Sequence, residues 1–560
     1  MKKENLQKFF TVFFPIFIYI IFAYTDKNLP GVYMDSVSPD YQSTWMLRNG
    51  LHTPAWIYPD NWLAGSYNWP LLNSLYGGNF TAYVAAIFFK IAGFGLDQLR
   101  IYHITLGAVL TGCMSWALLQ WRVSSAVVCA VAIALALDPG YIFAWRTQYY
   151  LQLTPLIFTF VALGLLGSSQ DCLPEKTKKK IFIAGLLLGF ASYNYFVFAF
   201  YAAAIATTFS ISFSRTNSRL ETFKYLAIGI AIGFMPYIYA HTSIIINLGF
   251  ENYISSLQEM KKAYGLDAET TNSISHKVGL VFSRLSGMQS GNLIESTMLS
   301  NNGQKITVSP ISSIILFGTM AVYGAIVAIG KWAPGTSKGA LLNHILASSI
   351  AIHFIFGIAV GSPLSFQHFI MLQPLFYAFF ASVTSYAIFR FSPASLQFLL
   401  KIIVFFIAAS ISIVHINQTR SLTARLSLSG GEGLYSDVIN KTADKIRMAP
   451  TDAVILFPQW GYWAGVVTLN GPRHSVVEAA NIDAMRAKFA SEAWLGQKQH
   501  FFMILGQEIA DDDDKLNQAQ SFAQSVDLRL VTSELVRGTN QRDSVLIAIF
   551  QGTPRGDTKK

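Results

Sequence analysis

The sequence predicts a polytopic α-helical membrane protein with about eleven transmembrane helices, followed by a water-soluble α/β domain at the C-terminus. Three observations predict this fold class. Of the 560 residues, 52% are hydrophobic and only 13% are charged, so most of the chain must use lipid as its solvent. Long apolar runs recur between residues 9 and 415. After residue 415 the pattern changes to short apolar strands that alternate with helical segments.

The charge balance and the cysteine content narrow the class further. Lysine and arginine total 41 against 31 aspartates and glutamates, a surplus that in a membrane protein more often reflects cytoplasmic loops than nucleic-acid binding. The three cysteines, Cys113, Cys129 and Cys172, offer no spacing suited to a disulfide framework or a zinc site. The N-terminal apolar run is not followed by a small-residue cleavage site, so we expect a retained first helix.

The apolar runs give the positions of the transmembrane helices. A helix needs ~20 apolar residues to cross the hydrocarbon core of a bilayer. The predicted spans lie at residues 9–25, 101–120, 123–138, 152–168, 181–194, 196–212, 225–241, 309–330, 341–360, 364–388 and 397–415.

The orientation follows from the basic residues between these spans. Tyr83–Gly93 is a short apolar run that contains Lys90, and counting it as a span would place the lysines at 176–180 outside the cell. We therefore expect it to be a surface or re-entrant helix. All basic connections then share one side, the cytoplasm, together with the N-terminus: Lys2, Lys3, Lys8, Arg122, Lys176, Lys178, Lys179, Lys180, Arg215, Arg219, Lys224, Lys331, Lys338, Arg390 and Lys401.

The domain organisation follows from the same topology. Residues 1–415 form the transmembrane domain, with large outer loops at 26–99 and 242–308 and a shorter one at 138–151, and residues 416–560 form an outer α/β domain. In that domain the pattern predicts strands at Ala453–Phe457, Phe501–Leu505 and Ser544–Phe550, and helices at Tyr435–Arg447, Ile482–Gly496 and Lys515–Ser525. All large polar segments therefore lie on one face, which favours chemistry or binding there.

Two carboxylates follow the first helix closely, in the segment Gly31-Val-Tyr-Met-Asp35-Ser-Val-Ser-Pro-Asp40-Tyr-Gln. Asp40 has a structural alternative, because Ser38 or Asp40 could cap a helix over Tyr41–Asn49. Asp35 has no such simple role. The sequence therefore marks Asp35 and Asp40 as candidate catalytic residues, with Asp35 preferred as the base.

A carboxylate just after the first transmembrane helix resembles the signature position of the GT-C superfamily. These glycosyltransferases take sugars from polyprenyl-phosphate carriers and include protein O-mannosyltransferases and lipid A aminoarabinose transferases. The likeness extends to the order of parts: first helix, acidic loop, surface helix, Leu99-Arg100 entering the second span, a bulky middle loop and a C-terminal outer domain. The resemblance implies a GT-C-like transmembrane domain at 1–415 and a site on its outer face.

Candidate contacts for the donor phosphate are basic residues of the outer segments. The stretch Gly361–Pro374 is similar to a family pattern in a late helix, with His368-Phe369 where the family has Arg-Tyr, although His368 could also be an interfacial histidine. Arg146 is placed to clamp a lipid phosphate or to reach the headgroups. Lys261 and Lys262 in the long loop are further donor contacts, on a segment whose charge is otherwise nearly balanced.

The connection 138–152 bears on metal dependence. Many relatives carry a further acidic residue here, whereas this chain has Gln148 and Gln152. A neutral amide is a poor partner for a divalent cation, so the metal dependence that the resemblance would allow is doubtful, and no metal site and no bound cofactor are expected. The polyprenyl-phosphate sugar is itself the donor substrate.

The resemblance therefore implies an inverting glycosyltransferase. It would move a sugar from a polyprenyl-phosphate donor to a hydroxyl of a glycan, lipid or protein at the periplasmic face of a bacterial inner membrane. Asp35 would act as general base. Two alternatives stay open: a ligase or polymerase that moves whole lipid-linked glycans, and a non-catalytic transporter or scaffold whose C-terminal domain binds a partner. Only the enzymes need an ionised carboxylate at Asp35.

Overall fold

The helices that carry the predicted spans follow the apolar runs closely. The structure, a computed structural model, describes residues 3–32, 37, 43–44, 46–47, 70–147, 153–212, 219–263, 273–289, 292–299, 311–328, 337–360, 368–391, 393–459, 462–506 and 511–552. Its helices up to residue 248 are α1 (Lys3–Tyr24), α2 (Phe80–Ala92), α3 (Leu96–Gln120), α4 (Ser125–Ala136), α5 (Pro139–Thr147), α6 (Leu153–Ser169), α7 (Pro174–Asn194), α8 (Val197–Ser212) and α9 (Arg219–Leu248).

The second half of the helical region begins in the long loop. Its elements are α10 (Phe250–Ala263), α11 (Ile274–Gln289), α12 (Asn292–Met298), α13 (Ile311–Ala328), α14 (Lys338–Val360), α15 (Leu372–Phe391) and α16 (Ala394–Ser429). A short hairpin of β1 (Leu72–Ser74) and β2 (Gly77–Gly78) precedes α2.

Each of the eleven predicted runs coincides with one of these helices. Among the described residues, six helices are long and apolar enough to cross a membrane, or seven if α4 and α5, bent by 60°, count as one span. The fold class predicted from the sequence is confirmed, whereas the number of membrane crossings stays a prediction. The last run is longer than expected, because α16 continues past residue 415 to Ser429 and carries the chain into the C-terminal domain.

Two glycine pairs bring α7 and α9 into close contact. Gly185 and Gly189 on α7 face Gly229 and Gly233 on α9, and a methyl group on any of the four would overlap backbone atoms of the opposite helix. Small residues spaced by four allow this approach, and in lipid such close packing replaces the hydrophobic effect as the force that joins helices. This pair is therefore a rigid part of the transmembrane domain.

The C-terminal domain is built on a mixed five-stranded sheet. Its strands run in the order β4-β3-β5-β7-β6, with β3 parallel to β4 and β5, and with β7 antiparallel to β5 and β6. The bounds of the elements are β3 (Val454–Phe457), β4 (Ser475–Glu478), β5 (His500–Leu505), β6 (Leu528–Arg537), β7 (Ser544–Gly552), α17 (Val438–Arg447), α18 (Tyr462–Asn470), α19 (Ile482–Ser491) and α20 (Asp512–Ser525).

The alternation along β3 shows how this sheet is placed. Ile455 and Phe457 point into an apolar cluster shared with α2 and α3, whereas Val454 and Leu456 point into a second cluster formed with α19 and α20. Successive side chains of a strand lie on opposite faces, so one face of the sheet packs towards the transmembrane domain and the other is covered by the helices of its own domain. The C-terminal domain is thereby held against the start of the transmembrane region.

The three strands and three helices predicted for this domain are present, with small shifts of their ends. Three further elements were not predicted: β4, α18 and β6. The strand β4 has only four residues, α18 is buried almost all round, and β6 is an edge strand with mostly exposed residues. None of the three shows a clear apolar period, which is the signal that the prediction uses.

Candidate active site at the C-terminal end of the first helix

The acidic loop begins where the C-terminal domain meets the transmembrane domain. Asp35 and Asp40 lie outside the described residues, but Val32 and Val37, the nearest described residues that flank Asp35, are both fully buried. Both valines belong to the apolar cluster between α2, α3 and the C-terminal sheet. The chain therefore enters and leaves the stretch that contains Asp35 at this interface.

The segment that leads from α1 to this point is fixed by main-chain hydrogen bonds. The N–H of Gly31 donates to the carbonyl oxygen of Tyr435 at 2.7 Å. The N–H of Val32 donates to Oδ1 of Asn440 at 3.2 Å, and Nδ2 of Asn440 donates to the carbonyl oxygen of Asn28 at 3.4 Å. The C-terminal domain thus supplies partners for the backbone at 28–32, just before the acidic loop.

Two buried arginines lie beside the same segment. Arg100, at the start of α3, donates to the carbonyl oxygens of Pro30 at 2.6 Å and of Arg146 at 2.9 Å. Arg146, near the end of α5, donates from Nη1 to the carbonyl oxygens of Ala23 at 3.3 Å and Thr25 at 2.7 Å. Neither side chain is exposed. The predicted donor contact Arg146 therefore lies at the C-terminal end of α1, in contact with the helix that precedes the acidic loop.

Among the described residues, Asp26 partly compensates the charge of Arg146 from a distance, without forming an ion pair. No carboxylate there lies within ion-pair distance of either guanidinium, and Nε of Arg100 and Nε and Nη2 of Arg146 have no hydrogen-bond partner among them. A buried charge is costly unless an opposite charge or hydrogen bonds compensate it. The pair therefore creates a positive potential at the start of the acidic loop, suited to a carboxylate or a phosphate.

Asp138 holds the bend between α4 and α5. Its Oδ1 accepts hydrogen bonds from the N–H groups of Gly140 at 2.8 Å and Tyr141 at 3.3 Å, and its Oδ2 accepts from the hydroxyl of Tyr377 at 2.7 Å. It therefore satisfies the free N–H groups at the start of α5, and this capping fixes the direction of the helix that carries Arg146.

His368 lies in a second polar cluster between α14 and α15. Its Nδ1 is 2.6 Å from the hydroxyl of Tyr195, and the two rings are nearly parallel. A second pair packs nearby, in which the hydroxyl of Tyr201 is 2.8 Å from Nδ1 of His353. His368 is therefore held by a tyrosine hydroxyl within this cluster.

Lys261 and Lys262 occupy the last turn of α10 and are exposed. The other face of this helix, with Tyr253, Leu257 and Met260, packs against the end of α9 and the β1–β2 hairpin. Among the described contacts, none joins these lysines to Arg146 or His368. The structure thus places the predicted donor contacts at three separate points.

Three residues near these points were not predicted as site residues. Arg100 and Arg284 lie on helices that carry other charged and polar residues, so neither stood out from its sequence context. Asn440 did not stand out either, because an asparagine on an amphipathic helix is ordinary. The described residues hold no group of three or more histidine, cysteine or acidic side chains suited to a metal ion. Since Asp35 and Asp40 lie outside them, metal independence stays a prediction.

Comparison with known proteins was made at the level of sequence and of structure. No protein-family model and no curated protein sequence matches this chain. Solved structures do match. ArnT from Cupriavidus metallidurans bound to undecaprenyl phosphate superposes with a TM-score of 0.57 and 13% identity, over 96% of this chain and 97% of that one.

Two further structures also match this chain. The apo state of the same ArnT gives a TM-score of 0.58 and 11% identity, over 96% of this chain and 97% of that one. This chain has the GT-C fold. The apo oligosaccharyltransferase of Archaeoglobus fulgidus is more distant, with a TM-score of 0.48 and 14% identity over 91% of this chain and 71% of that one. The GT-C resemblance that the acidic loop and the order of parts predicted is confirmed at the level of the fold.

Proposed function

We propose that this protein is an inverting glycosyltransferase of the GT-C type, which moves a sugar from a polyprenyl-phosphate donor to a hydroxyl acceptor. The reaction would take place at the periplasmic face of a bacterial inner membrane. The acceptor is a hydroxyl group of a glycan, a lipid or a protein. Asp35 acts as the base, with Asp40 as the alternative within the same loop.

The observation that carries this proposal is the match of both domains to one GT-C protein. The superposition on ArnT covers nearly the whole of both chains, the C-terminal domain included, and one of the two ArnT structures contains undecaprenyl phosphate. A fold alone does not give a function. Here the described segment 28–32, which leads to the loop with the proposed base, lies between the two domains beside the buried Arg100 and contacts Asn440.

The chemistry needs one carboxylate. Asp35 accepts the proton of the acceptor hydroxyl as that oxygen forms a bond to the anomeric carbon, and the bond from this carbon to the phosphate oxygen breaks with its electron pair. The polyprenyl phosphate leaves as a monoester, which needs stabilisation of its charge rather than protonation. A single displacement of this kind inverts the anomeric centre, unlike the two-carboxylate retaining scheme of many glycosidases.

The donor phosphate is bound by the basic residues of the outer segments. Arg146 supplies positive charge beside the segment that leads to the acidic loop, and Lys261 and Lys262, which lie apart from it, stay candidate donor contacts. His368 offers a ring nitrogen that can donate or accept a hydrogen bond. Arginine is especially suited to this task because its planar fork matches two phosphate oxygens.

The test is transfer by the purified protein. Synthetic undecaprenyl-phosphate sugars serve as donors and cell-envelope glycolipid, polysaccharide and protein fractions as acceptors, and the release of undecaprenyl phosphate is measured with the anomeric form of the product. Asp35→Asn keeps the size of the side chain and removes its basicity, so the rate should fall by ~10²–10⁴-fold while the Tm is unchanged.

Asp40→Asn is the matched control, because asparagine is nearly as good a helix cap as aspartate. It should cost much less activity than Asp35→Asn. Near wild-type transfer by folded Asp35→Asn protein would refute Asp35 as base, and a dead Asp40→Asn variant would move that role to Asp40. A transporter or scaffold would release no undecaprenyl phosphate from any donor, and a product with retained anomeric configuration would contradict the single displacement.

A further inference from the structure

We infer that Arg100 and Asn440 are positioning residues, which hold the backbone at 28–32 from two different domains and so set the geometry of the acidic loop. This inference rests on the proposed function, because it concerns how the candidate base is placed. Arg100 belongs to helix α3 of the transmembrane domain, and Asn440 belongs to α17 of the C-terminal domain. Between them they contact three main-chain groups within five residues.

Arg100 acts as a bridge between two chain segments. Its guanidinium joins the carbonyl oxygen of Pro30, just ahead of the acidic loop, to that of Arg146 on α5. A single planar group that bonds both carbonyls fixes their separation, which a flexible lysine would not do. Pro30 lies five residues before Asp35. A displacement of the backbone at Pro30 would therefore reach Asp35 through only a short length of chain.

Asn440 fixes the same segment from the C-terminal domain. Its amide accepts from the N–H of Val32 and donates to the carbonyl of Asn28, and only 8% of the residue is exposed. Its position is in turn held by the sheet, because Asp437 at the start of α17 accepts hydrogen bonds from the N–H and the hydroxyl of Thr539 in the β6–β7 turn. The geometry of the segment is thereby linked to the C-terminal sheet.

The close approach of the two domains also depends on a glycine. A methyl group on Gly31 would overlap the carbonyl of Ser436, next to the hydrogen bond from Gly31 to Tyr435. Backbone packs directly on backbone here, so the segment has little room to move. A displacement of about 1 Å at a reacting group can cost ~10²-fold in rate, which is why contacts remote from the chemistry can control it.

The experiment compares two buried polar residues on the same helix. Asn440→Leu removes both contacts with 28–32, whereas Thr442→Val removes a hydroxyl that donates to Val438 within α17. We expect Asn440→Leu to lower kcat by ~10–100-fold with little change in the KM for the donor, and Thr442→Val to keep wild-type kinetics. Asn440→Asp retains the acceptor for the N–H of Val32 and should recover part of the rate. Arg100→Lys should resemble Asn440→Leu.

A double variant separates positioning from general structure. In an Asp35→Asn background, Asn440→Leu should cost less than twofold, because the group that it positions is already absent. An equal loss in both backgrounds, or a wild-type kcat for folded Asn440→Leu, Asn440→Asp and Arg100→Lys, would overturn the inference. If Asp35→Asn itself transfers sugar at the wild-type rate, the base assignment of the proposed function has failed instead. The two failures are therefore distinguishable.

Discussion

Arg100 donates a hydrogen bond of 2.9 Å to the main-chain carbonyl of Arg146, and both side chains are completely buried. Two cations thus lie close together at the C-terminal end of α1, with carbonyl oxygens as their described hydrogen-bond partners. Arg146 therefore has two roles that an experiment can separate. Its Nη1 holds the end of α1 through hydrogen bonds. Its Nε and Nη2 have no hydrogen-bond partner among the described residues and are the groups proposed to bind the donor phosphate.

For Arg146 we expect effects on both donor affinity and stability. Arg146→Ala should raise the apparent KM for the lipid-linked donor and lower the Tm, because the carbonyls of Ala23 and Thr25 lose their donor at a cost of ~1–3 kcal/mol. Arg146→Lys should recover part of both, since lysine lacks the fork. The control is Arg542→Ala, an exposed residue of the C-terminal domain. Unchanged donor kinetics in the alanine variant would remove Arg146 from the donor site.

The contact between α7 and α9 predicts a strong effect of one methyl group. In Gly189→Ala the new Cβ would overlap the carbonyl oxygen of Ile230, so the helices must separate, at a cost of ~1–3 kcal/mol. Gly318→Ala on α13 is the control, because a Cβ there meets no atom within 4 Å. Thermal unfolding in detergent should show a lower Tm for the first variant only. Equal Tm values would show that the two helices do not pack as described.

Glu478, at the end of β4, predicts a dependence of stability on pH. Burial raises the pKa of its carboxyl from 4.5 to about 7, although Trp463 and Lys488 act in the opposite direction. The folded state therefore binds a proton that the unfolded state has lost, so stability falls as the pH rises from about 4.5 to 7.

Glu478→Gln should raise the Tm at pH 8, with a difference that disappears near pH 4.5. The control Glu534→Gln, on the exposed ion pair with Lys445, should show no such trend. A constant difference across this range would contradict the prediction.

The topology is tested by reporter fusions. At one end of the helices Asp171 pairs with Arg122 at 2.9 Å and with Lys338 at 2.5 Å, which brings three of the basic connections together. We expect this end to face the cytoplasm. A periplasmic reporter should be active after Asn440 and inactive after Lys178. Activity of a cytoplasmic reporter after Asn440 would reverse the predicted orientation and move the proposed site to the other side of the membrane.

Metal independence is expected from Gln148 and Gln152, the neutral amides of the connection 138–152. Transfer by the purified protein should survive an excess of chelator, because neutral amides are poor ligands for magnesium or manganese. The control is an unrelated metal-dependent transferase treated in the same way. A complete loss of activity that magnesium or manganese restores would show that Asp35 and Asp40 hold a cation together, and it would change their roles.

Much of the fold could be predicted from local patterns. The shortage of charge required a membrane protein, because so many apolar residues cannot be covered in water. Each apolar run became a helix, since a backbone in lipid must satisfy its own hydrogen bonds. The short β4, the buried α18 and the exposed β6 could not be predicted, because their stability comes from neighbouring strands and not from a period in their own sequence.

For the site, the sequence by itself determined which residue types were available and where the acidic loop begins. Together with the GT-C resemblance it predicts Asp35, Asp40, Arg146 and His368 as site residues, and these roles stay predictions. Only the tertiary structure decided that Arg100 bonds to Pro30, 70 residues away, and that Asn440 bonds to Val32, 408 residues away. Such contacts have no local signature, because a hydrogen bond between distant segments depends on how complete domains pack and not on the neighbours of either residue in the chain.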